Sequence, residues 1–241
     1  MSDKVAVYAG TRNVYPQMYT SLKSLLINNQ MDRVYLLIED MEFPYPVPKN
    51  VILMDVSEQN FFPEHGANTK SRYSYMELMR STLGYILPNE ELVLWLDIDT
   101  IIDDDITDLF AMNMDGFFYA GCIEPMKSKD IFQYVNSGVL LCNLPLLRGF
   151  NKEAEEIAFL NLYRFNLPGQ EVINLLCQGR IRIIDSTYNS NAYTFRCNRP
   201  KIIHYAAITD YKDDWAYRKY ELKECPGLED EEEKTEDKAD E

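Results

Sequence analysis

The sequence is short of basic residues, of histidine and of long apolar runs. Among its 241 residues, 24 Lys and Arg face 39 Asp and Glu, which gives a formal net charge of -15, and there are two His. A surface this acidic repels phosphate backbones, so we expect no nucleic-acid partner. No stretch reaches the roughly 18 uncharged apolar residues that span a bilayer, and the start lacks the apolar core of about 7 to 15 residues of a signal peptide. We expect no membrane span and a cytoplasmic location, in the host cell if the source is a virus; the oligomeric state stays open.

Glycine, proline and cysteine are also sparse. Ten glycines and eleven prolines beside 46% apolar residues exclude collagen-like and wholly disordered chains. The five cysteines are an odd number without Cys-X-X-Cys spacing, which favours buried free thiols in a reducing compartment over disulfides or a zinc site. With two histidines in the chain, a metal site has to depend on carboxylates.

Short apolar runs alternate with helical patterns along the chain. The patterns predict strands at 4–9, 33–38, 50–56, 92–96, 117–122, 138–143 and 181–184, and helices at 18–27, 72–87, 152–163 and 170–178. This alternation is typical of an α/β domain with a mostly parallel central sheet flanked by helices. Residues 228–241 hold nine acidic residues against two Lys. We therefore expect one domain over 1–220 and an acidic, disordered tail over 221–241.

Two carboxylates, Asp97 and Asp99, directly follow the apolar strand LVLWL. Residues i and i+2 of an extended chain point to the same side, so these carboxylates converge while Ile98 points into the core. The carboxyl ends of strands are where α/β sheets bind ligands, and paired carboxylates suit Mg²⁺ or Mn²⁺. We predict a metal site at this pair; the alternative is a pair of turn or capping residues. Of the nearby acids, Asp103 or Asp105 is interpreted as the cap of a short helix through Leu109.

Six segments, in order, resemble the retaining glycosyltransferases of family 8, the group of glycogenin and the bacterial lipopolysaccharide galactosyltransferases, which have a GT-A fold. They are VYAGTRNVYPQMYTSLKSLL near the start, the helix that contains Arg80 and ends in YILP, LVLWLDIDTII, VNSGVLLCNL at 135–144, GQEVINLL at 169–176, and HY at 204–205. The resemblance extends from residue 5 to about residue 215. It implies a single Rossmann-like GT-A domain with the acidic pair at the end of a central strand.

The resemblance implies a metal centre and a phosphate contact. Asp97 and Asp99 would hold a divalent ion on the diphosphate of a UDP-sugar, with His204 as the third ligand; an imidazole ligand favours Mn²⁺ over Mg²⁺. Without the resemblance, His204 is better read as an edge-strand histidine with a backbone partner. Lys212 would contact the phosphates. The family commonly has His, five residues and then Lys-Pro-Trp, whereas seven residues separate His204 from Lys212.

The resemblance also places the donor. Uracil and ribose would lie on the first loop, with Asn13 and Tyr15 as candidates for base stacking. Arg80 would hold a sugar hydroxyl or a phosphate; the alternative is a helix-surface ion pair with Glu77. The donor-binding residues implied are Ala9, Gly10, Thr11, Asn13, Tyr15, Arg80, Ile98, Asn136, Ser137, Gly138, Gln170 and Lys212.

One departure from the family concerns the sugar. The family's central Gln, here Gln170, often has Asp on one or both sides, whereas this chain has Gly169 and Glu171. Loss of the acid at 169 removes an acceptor for a donor hydroxyl, which would admit a deoxyhexose such as rhamnose beside glucose and galactose.

We therefore expect a metal-dependent retaining transfer of a hexose from a UDP-sugar to a glycan or small acceptor, with Arg80, Gln170, Glu171 and Lys212 as catalytic residues. Because an amide is a poor nucleophile, Gln170 favours attack by the acceptor on the face that UDP leaves. Glu171 is the nearby carboxylate for a covalent route. The alternatives are a nucleotide-sugar binding module without turnover and, less favoured, a nucleotidyltransferase that uses the acidic pair.

Overall fold

The apolar and β-branched runs of the sequence form a seven-stranded sheet. The structure is a computed structural model that describes residues 2–69, 74–125, 133–195 and 197–228. The sheet contains, in chain order, β1 (Val5–Ala9), β2 (Arg33–Ile38), β3 (Val51–Asp55), β4 (Leu92–Leu96), β6 (Tyr119–Ile123), β7 (Val135–Asn143) and β8 (Ile181–Ile184). A separate two-stranded ribbon pairs β5 (Thr100–Ile102) with β9 (Ile202–His204).

Six α-helices lie in the described residues. They are α1 (Tyr15–Asn28), α2 (Leu83–Ile86), α3 (Leu144–Gly149), α4 (Lys152–Leu162), α5 (Pro168–Leu176) and α6 (Trp215–Glu221). Both α1 and α5 have proline in their first turn, where its missing N–H costs no hydrogen bond.

The strand order is β3-β2-β1-β4-β7-β6-β8. Parallel pairs join β1 to β2 and β4, β2 to β3, and β6 to β8, whereas β7 is antiparallel to β4 and β6. The predicted α/β domain with a mostly parallel sheet, helices on its faces and the acidic pair at the end of a central strand is confirmed. The central strand β4 is parallel to β1 on one side, as predicted, but its neighbour on the other side, β7, is antiparallel.

Alternate strand residues pack into two core layers. On one face of the sheet, Ala6 and Tyr8 lie in a cluster with Leu22 and Leu25 of α1, and all four are fully buried. Burial of each leucine side chain stabilises the fold by roughly 1.5 to 3 kcal/mol. On the other face, Val5 and Val7 belong to a cluster that contains residues of α4 and α5. The two layers therefore hold β4, and the acidic pair after it, from both sides.

The segment predicted as one helix over 72–87 is more varied in the structure. It is a 3₁₀ helix over Tyr75–Thr82 that continues as α2 and ends before Pro88, while residues 72 and 73 lie outside the described ranges. Because a 3₁₀ helix has three residues per turn, Glu77 and Arg80 lie on the same face, toward the end of β4.

Past α6, the chain stays against the domain for several residues. Cys225 is buried, and the Lys23 ammonium donates to the carbonyl oxygens of Glu221, at 2.7 Å, and Lys223, at 2.9 Å. Residues 229–241 of the expected tail lie outside the described ranges. None of the helices in those ranges combines the length and apolar character that a bilayer crossing requires.

Candidate active site

The acidic pair is fixed where β4 ends. The Asp97 amide donates to the Gly138 carbonyl at 2.8 Å, which continues the pairing of β4 with β7. The indole N–H of Trp95 donates to Asp97 Oδ1 at 2.8 Å, and Arg80 Nη2 donates to the same oxygen at 3.3 Å. One oxygen of Asp97 is thus occupied by protein donors, and Oδ2 is the oxygen on the side of His204.

His204 reaches the acidic pair through the β5–β9 ribbon. Thr100, next to Asp99, pairs with His204 in the register of that ribbon. His204 Nε2 lies 3.3 Å from Asp99 Oδ1 and 3.9 Å from Asp97 Oδ2. A Cβ on Gly138 would come within 2.1 Å of His204 Cε1, so the close approach of the ring depends on glycine at 138.

Within this trio, His204 and Asp99 shift each other's pKa. Burial disfavours the charged ring of His204, but the neighbouring carboxylates of Asp99 and Asp97 outweigh burial and raise its pKa. For Asp99, burial disfavours the carboxylate, and the charge and hydrogen bond of His204 nevertheless lower its pKa. While the ring is protonated, an ion pair between His204 and Asp99 stabilises this arrangement.

The trio fits a divalent cation. One ligand atom each from Asp97, Asp99 and His204 can be chosen so that all lie within 4.8 Å of one another. Two carboxylate oxygens and one imidazole nitrogen are a donor set that suits Mn²⁺ better than Mg²⁺.

Arg80 is a buried residue of the site. Its side chain is 1% exposed, and its guanidinium lies over the Trp95 ring, 5.0 Å from the centroid. Arg80 Nη1 donates to the carbonyl oxygen of Ser137 at 2.7 Å and to its hydroxyl oxygen, and Nε donates to the Glu77 carbonyl at 2.9 Å. The alternative, an ion pair with Glu77, is present at 3.7 Å, but the pair is buried at the site and does not lie on the helix surface.

Two cavities meet at the acidic pair. The first, of about 290 Å³, we call the sugar-side cavity, after the donor sugar that the resemblance implies beside Gln170; its wall includes Arg80, Glu124, Asn136, Ser137, Gly138, Gln170, Tyr193 and His204. The second, of about 310 Å³, we call the nucleotide-side cavity, after the uracil and ribose that the resemblance implies at the first loop; its wall includes Ala9, Gly10, Thr11, Asn13, Trp95 and Ile98. Asp97, Asp99 and Glu77 line both. The structure therefore brings together most of the predicted site residues around one cleft, with the acidic pair at its middle.

Buried amides form the wall of the sugar-side cavity. Gln170 Oε1 accepts from the Ser137 amide at 3.1 Å and from Asn136 Nδ2 at 3.2 Å. Gln170 Nε2 donates to Glu124 Oε1 at 3.3 Å. The side chain of Gln170 is consequently held in one orientation.

Three predicted site residues lie away from the cleft. The Tyr15 ring is buried 5.1 Å from the Phe43 ring, and its hydroxyl accepts from the Glu39 amide. The Glu171 carboxylate accepts from the Leu167 amide at the start of α5, so it caps its own helix. Lys212 is exposed and is absent from the walls of both cavities.

Position 169 also differs from the expectation. A Cβ on Gly169 would lie 3.0 Å from Arg80 Nε, so a side chain there would point at Arg80. Gly169 is not on the wall of the sugar-side cavity.

Sequence reasoning missed two carboxylates and two amides of the site. Glu124 follows β6 at the same sheet edge as Asp97, and the rule that identified Asp97 could have found it. The sequence pointed to Glu77 only as an ion-pair partner of Arg80. Asn189 and Asn191 follow no strand or motif, and no signal in one sequence connects them with His204.

Residues 5–215 match the model of the family described as glycosyl transferase family 8. The chain is 26% identical over 199 residues to the glycosyltransferase GlyE of Streptococcus pneumoniae, covering 77% of this chain and 47% of that protein. It is 25% identical over 194 residues to the glycosyltransferase GlyA of the same organism, covering 77% of this chain and 28% of that protein. The chain thus spans about half or less of the length of these curated relatives.

Solved structures resemble this fold closely. The galactosyltransferase LgtC, in complex with donor and acceptor sugar analogues, superposes with a TM-score of 0.67 at 18% identity, over 90% of this chain and 93% of LgtC. The GlyE structure gives a TM-score of 0.68 at 18% identity, over 93% of this chain and 61% of GlyE. These likenesses establish the GT-A fold for the chain.

Proposed function

The chain belongs to glycosyl transferase family 8, and we propose that it transfers a hexose from a UDP-sugar to a glycan or small acceptor, with retention at the anomeric carbon and with a divalent cation. The observation that carries this proposal is the position of the acidic pair between two cavities, one beside the β1 loop and one beside Gln170. In this arrangement a diphosphate would lie at Asp97 and Asp99, with the nucleoside on one side and the sugar on the other.

The cation would be held by Asp97, Asp99 and His204. When bound, a divalent cation neutralises negative charge on a diphosphate leaving group. The protein's own contribution is to hold these ligands before the donor arrives. Arg80 and Trp95 orient Asp97, and Gly138 leaves room for the His204 ring.

The residues on the wall of the sugar-side cavity support one route to retention over another. Gln170 is neutral and committed to four protein partners, so it is a poor nucleophile. Glu171 is occupied at the start of its helix. We therefore propose attack by the acceptor on the face that UDP leaves, with Gln170 orienting the sugar. Among the carboxylates on the cavity wall, Glu124 is hydrogen-bonded to Gln170 and is the candidate for a covalent route.

The same cavity bears on the choice of sugar. Glu77 and Glu124 place carboxylates on its wall, and these can accept hydrogen bonds from donor hydroxyls although Gly169 cannot. The missing acid at 169 therefore does not leave a donor hydroxyl without an acceptor, so it no longer favours a deoxyhexose. We propose a fully hydroxylated hexose, glucose or galactose, as the preferred donor.

Two measurements test this function. Hydrolysis of a panel of UDP-sugars and GDP-sugars, with and without Mn²⁺, should show turnover of UDP-hexoses that requires the cation. A protein that binds these donors but never hydrolyses them is a binding module, and release of pyrophosphate from a nucleoside triphosphate would indicate nucleotidyl transfer.

The second measurement is calorimetry of UDP in Mn²⁺. Asp97→Asn or Asp99→Asn should abolish the Mn²⁺-dependent part of UDP binding while the protein stays folded. The matched control is Asp104→Asn, since Asp104 is an exposed acid that bonds to the amide of its neighbour Asp105. Unchanged UDP affinity in both acidic-pair variants would refute the metal assignment.

A further inference from the structure

Behind His204 lies a connected set of buried amide side chains. His204 Nδ1 is 2.9 Å from Asn189 Oδ1, and Asn189 Nδ2 donates to Asn136 Oδ1 at 2.9 Å. Asn136 Nδ2 donates to Glu124 Oε1 at 2.7 Å. Asn189 is fully buried, and the other three residues are each at most 5% exposed. These hydrogen bonds connect Glu124 and Asn136, on the wall of the sugar-side cavity, with the ring of His204, a predicted metal ligand.

The orientation of the first amide is fixed by the backbone. The Gly138 N–H, which can only donate, points at the Asn136 side chain at 3.1 Å, so the oxygen of that amide must face it. The same oxygen then accepts from Asn189, which must present its nitrogen to Asn136. Asn189 therefore presents its oxygen to His204.

A second backbone anchor gives the same result independently. The amides of Tyr193 and Thr194 donate to Asn191 Oδ1 at 2.8 and 3.0 Å, which identifies the oxygen of Asn191. Asn191 Nδ2 is thus a donor, and it donates to Asn189 Oδ1 at 2.8 Å. Both anchors require an oxygen of Asn189 on the side of His204.

This orientation determines which ring nitrogen of His204 carries hydrogen. Nδ1 lies 2.9 Å from the Asn189 oxygen and 3.4 Å from Asn191 Nδ2. Because Asn191 Nδ2 already donates to the Asn189 oxygen at 2.8 Å, the shorter contact decides, and Nδ1 is the donor to Asn189. In the neutral ring the other nitrogen, Nε2, then keeps its lone pair on the side of Asp99 and Asp97, where it lies 3.3 and 3.9 Å from their oxygens. A ring in the opposite tautomer would present a hydrogen to the acids and no lone pair to a cation.

We propose that Asn189 is a positioning residue that holds His204 in the Nδ1–H tautomer, so that Nε2 is the nitrogen available to a divalent cation. The proposal rests on the proposed function for the cation itself, but the tautomer is a property of the metal-free protein. Partners of this kind behind a histidine ligand typically contribute about 10- to 100-fold to metal affinity.

The first test is made on the metal-free wild-type protein. Nitrogen-15 NMR of histidine-labelled protein, at a pH above the titration of His204, distinguishes protonated from unprotonated ring nitrogens. The chain has two histidines, and His65 is exposed, so a His204→Gln sample assigns the signals. We expect a protonated Nδ1; a protonated Nε2 with a bare Nδ1 would overturn the proposal, whether or not the Asn189 variants fold.

The second test measures Mn²⁺ affinity by electron paramagnetic resonance. Asn189→Leu should weaken Mn²⁺ binding about 10- to 100-fold and lose the Nδ1–H signal. Asn189→Asp keeps the acceptor and should keep that signal. The matched control is Asn68→Leu, because Asn68 is equally buried and bonds to the backbone of Leu160, Tyr163 and Phe165.

The outcomes separate the two proposals. Equal Mn²⁺ losses in the Asn189→Leu and Asn68→Leu proteins, or an Asn189→Leu protein that keeps both its affinity and its Nδ1–H signal, would refute the positioning role. If the wild-type protein binds neither Mn²⁺ nor UDP, the proposed function fails, whereas the ring-nitrogen assignment still decides the tautomer.

Discussion

Gly138 and His204 illustrate how closely single residues of the site depend on one another. The glycine lies in β7, and the space that its missing side chain leaves is filled by the imidazole ring. The sequence identified both residues, but only through a family resemblance. Their contact could not be predicted, because it depends on the register between β4 and β7 and on a three-residue strand far along the chain.

We expect Gly138→Ala to displace His204. The new Cβ would lie 2.1 Å from Cε1, and a buried ring cannot yield that space without moving off the acidic pair. Overpacking of this kind destabilises by about 1 to 3 kcal/mol. Calorimetry should show a lower melting temperature and weaker Mn²⁺ binding. Gly149→Ala is the control, since no atom lies within 4 Å of a Cβ there; similar metal affinity in both variants would contradict the expectation.

We expect the two glutamates near Gln170 to differ in their effect on turnover. Glu124→Gln should slow donor hydrolysis at least tenfold, because it replaces a charged acceptor on the wall of the sugar-side cavity. Glu171→Gln should change it little, because an amide oxygen can still accept from Leu167. Steady-state hydrolysis of the best UDP-hexose measures both, and the reverse order would restore Glu171 as the catalytic carboxylate.

Among the elements, the regular ones were the easiest to predict. Strand β8 occupies the predicted residues, and α4 begins at the predicted Lys152. The sequence could not predict the β5–β9 ribbon, because strands of three residues have too little pattern. Strand β7 starts three residues earlier than predicted, since Asn136 and Ser137 are polar yet buried, and a rule based on apolar runs excludes them.

A buried carboxyl in helix α4, that of Glu156, makes the stability of the fold depend on pH. Burial raises the pKa of Glu156 to about 7, although hydrogen bonds such as the one from Tyr119 oppose it. Between the ordinary pKa of about 4.5 and the raised value, the folded protein binds more protons than the unfolded chain, so the free energy of unfolding falls as pH rises.

Replacement of this carboxyl should therefore change how stability depends on pH. Relative to wild type, Glu156→Gln should raise the melting temperature by several degrees at pH 8 and by much less near pH 5. Glu155→Gln, on the exposed side of the same helix, should run parallel to wild type at all pH values. Differential scanning calorimetry across this range is the measurement, and a constant offset for Glu156→Gln would show that its carboxyl does not titrate in this window.

At the scale of the whole molecule, the end of the domain is a further testable boundary. Residues 229–241 consist of nine acids, two Lys, one Thr and one Ala, so they offer no large apolar side chain to bury. Deletion of 229–241 should leave the melting temperature and donor hydrolysis unchanged. Deletion from 222 should lower the melting temperature, because it removes buried Cys225 and a carbonyl partner of Lys23. Equal melting temperatures for the two truncations would place the boundary at residue 220 instead.

The β5–β9 ribbon has a consequence for the time course of folding. In this ribbon Thr100, the residue after Asp99, pairs with His204, which lies near the end of the family match. Contacts between residues so distant in sequence form late, because a long loop must close first. A chain still emerging from the ribosome would hold two carboxylates without their imidazole. Cation capture by the full trio would then be a late event, and it would stabilise only the finished domain.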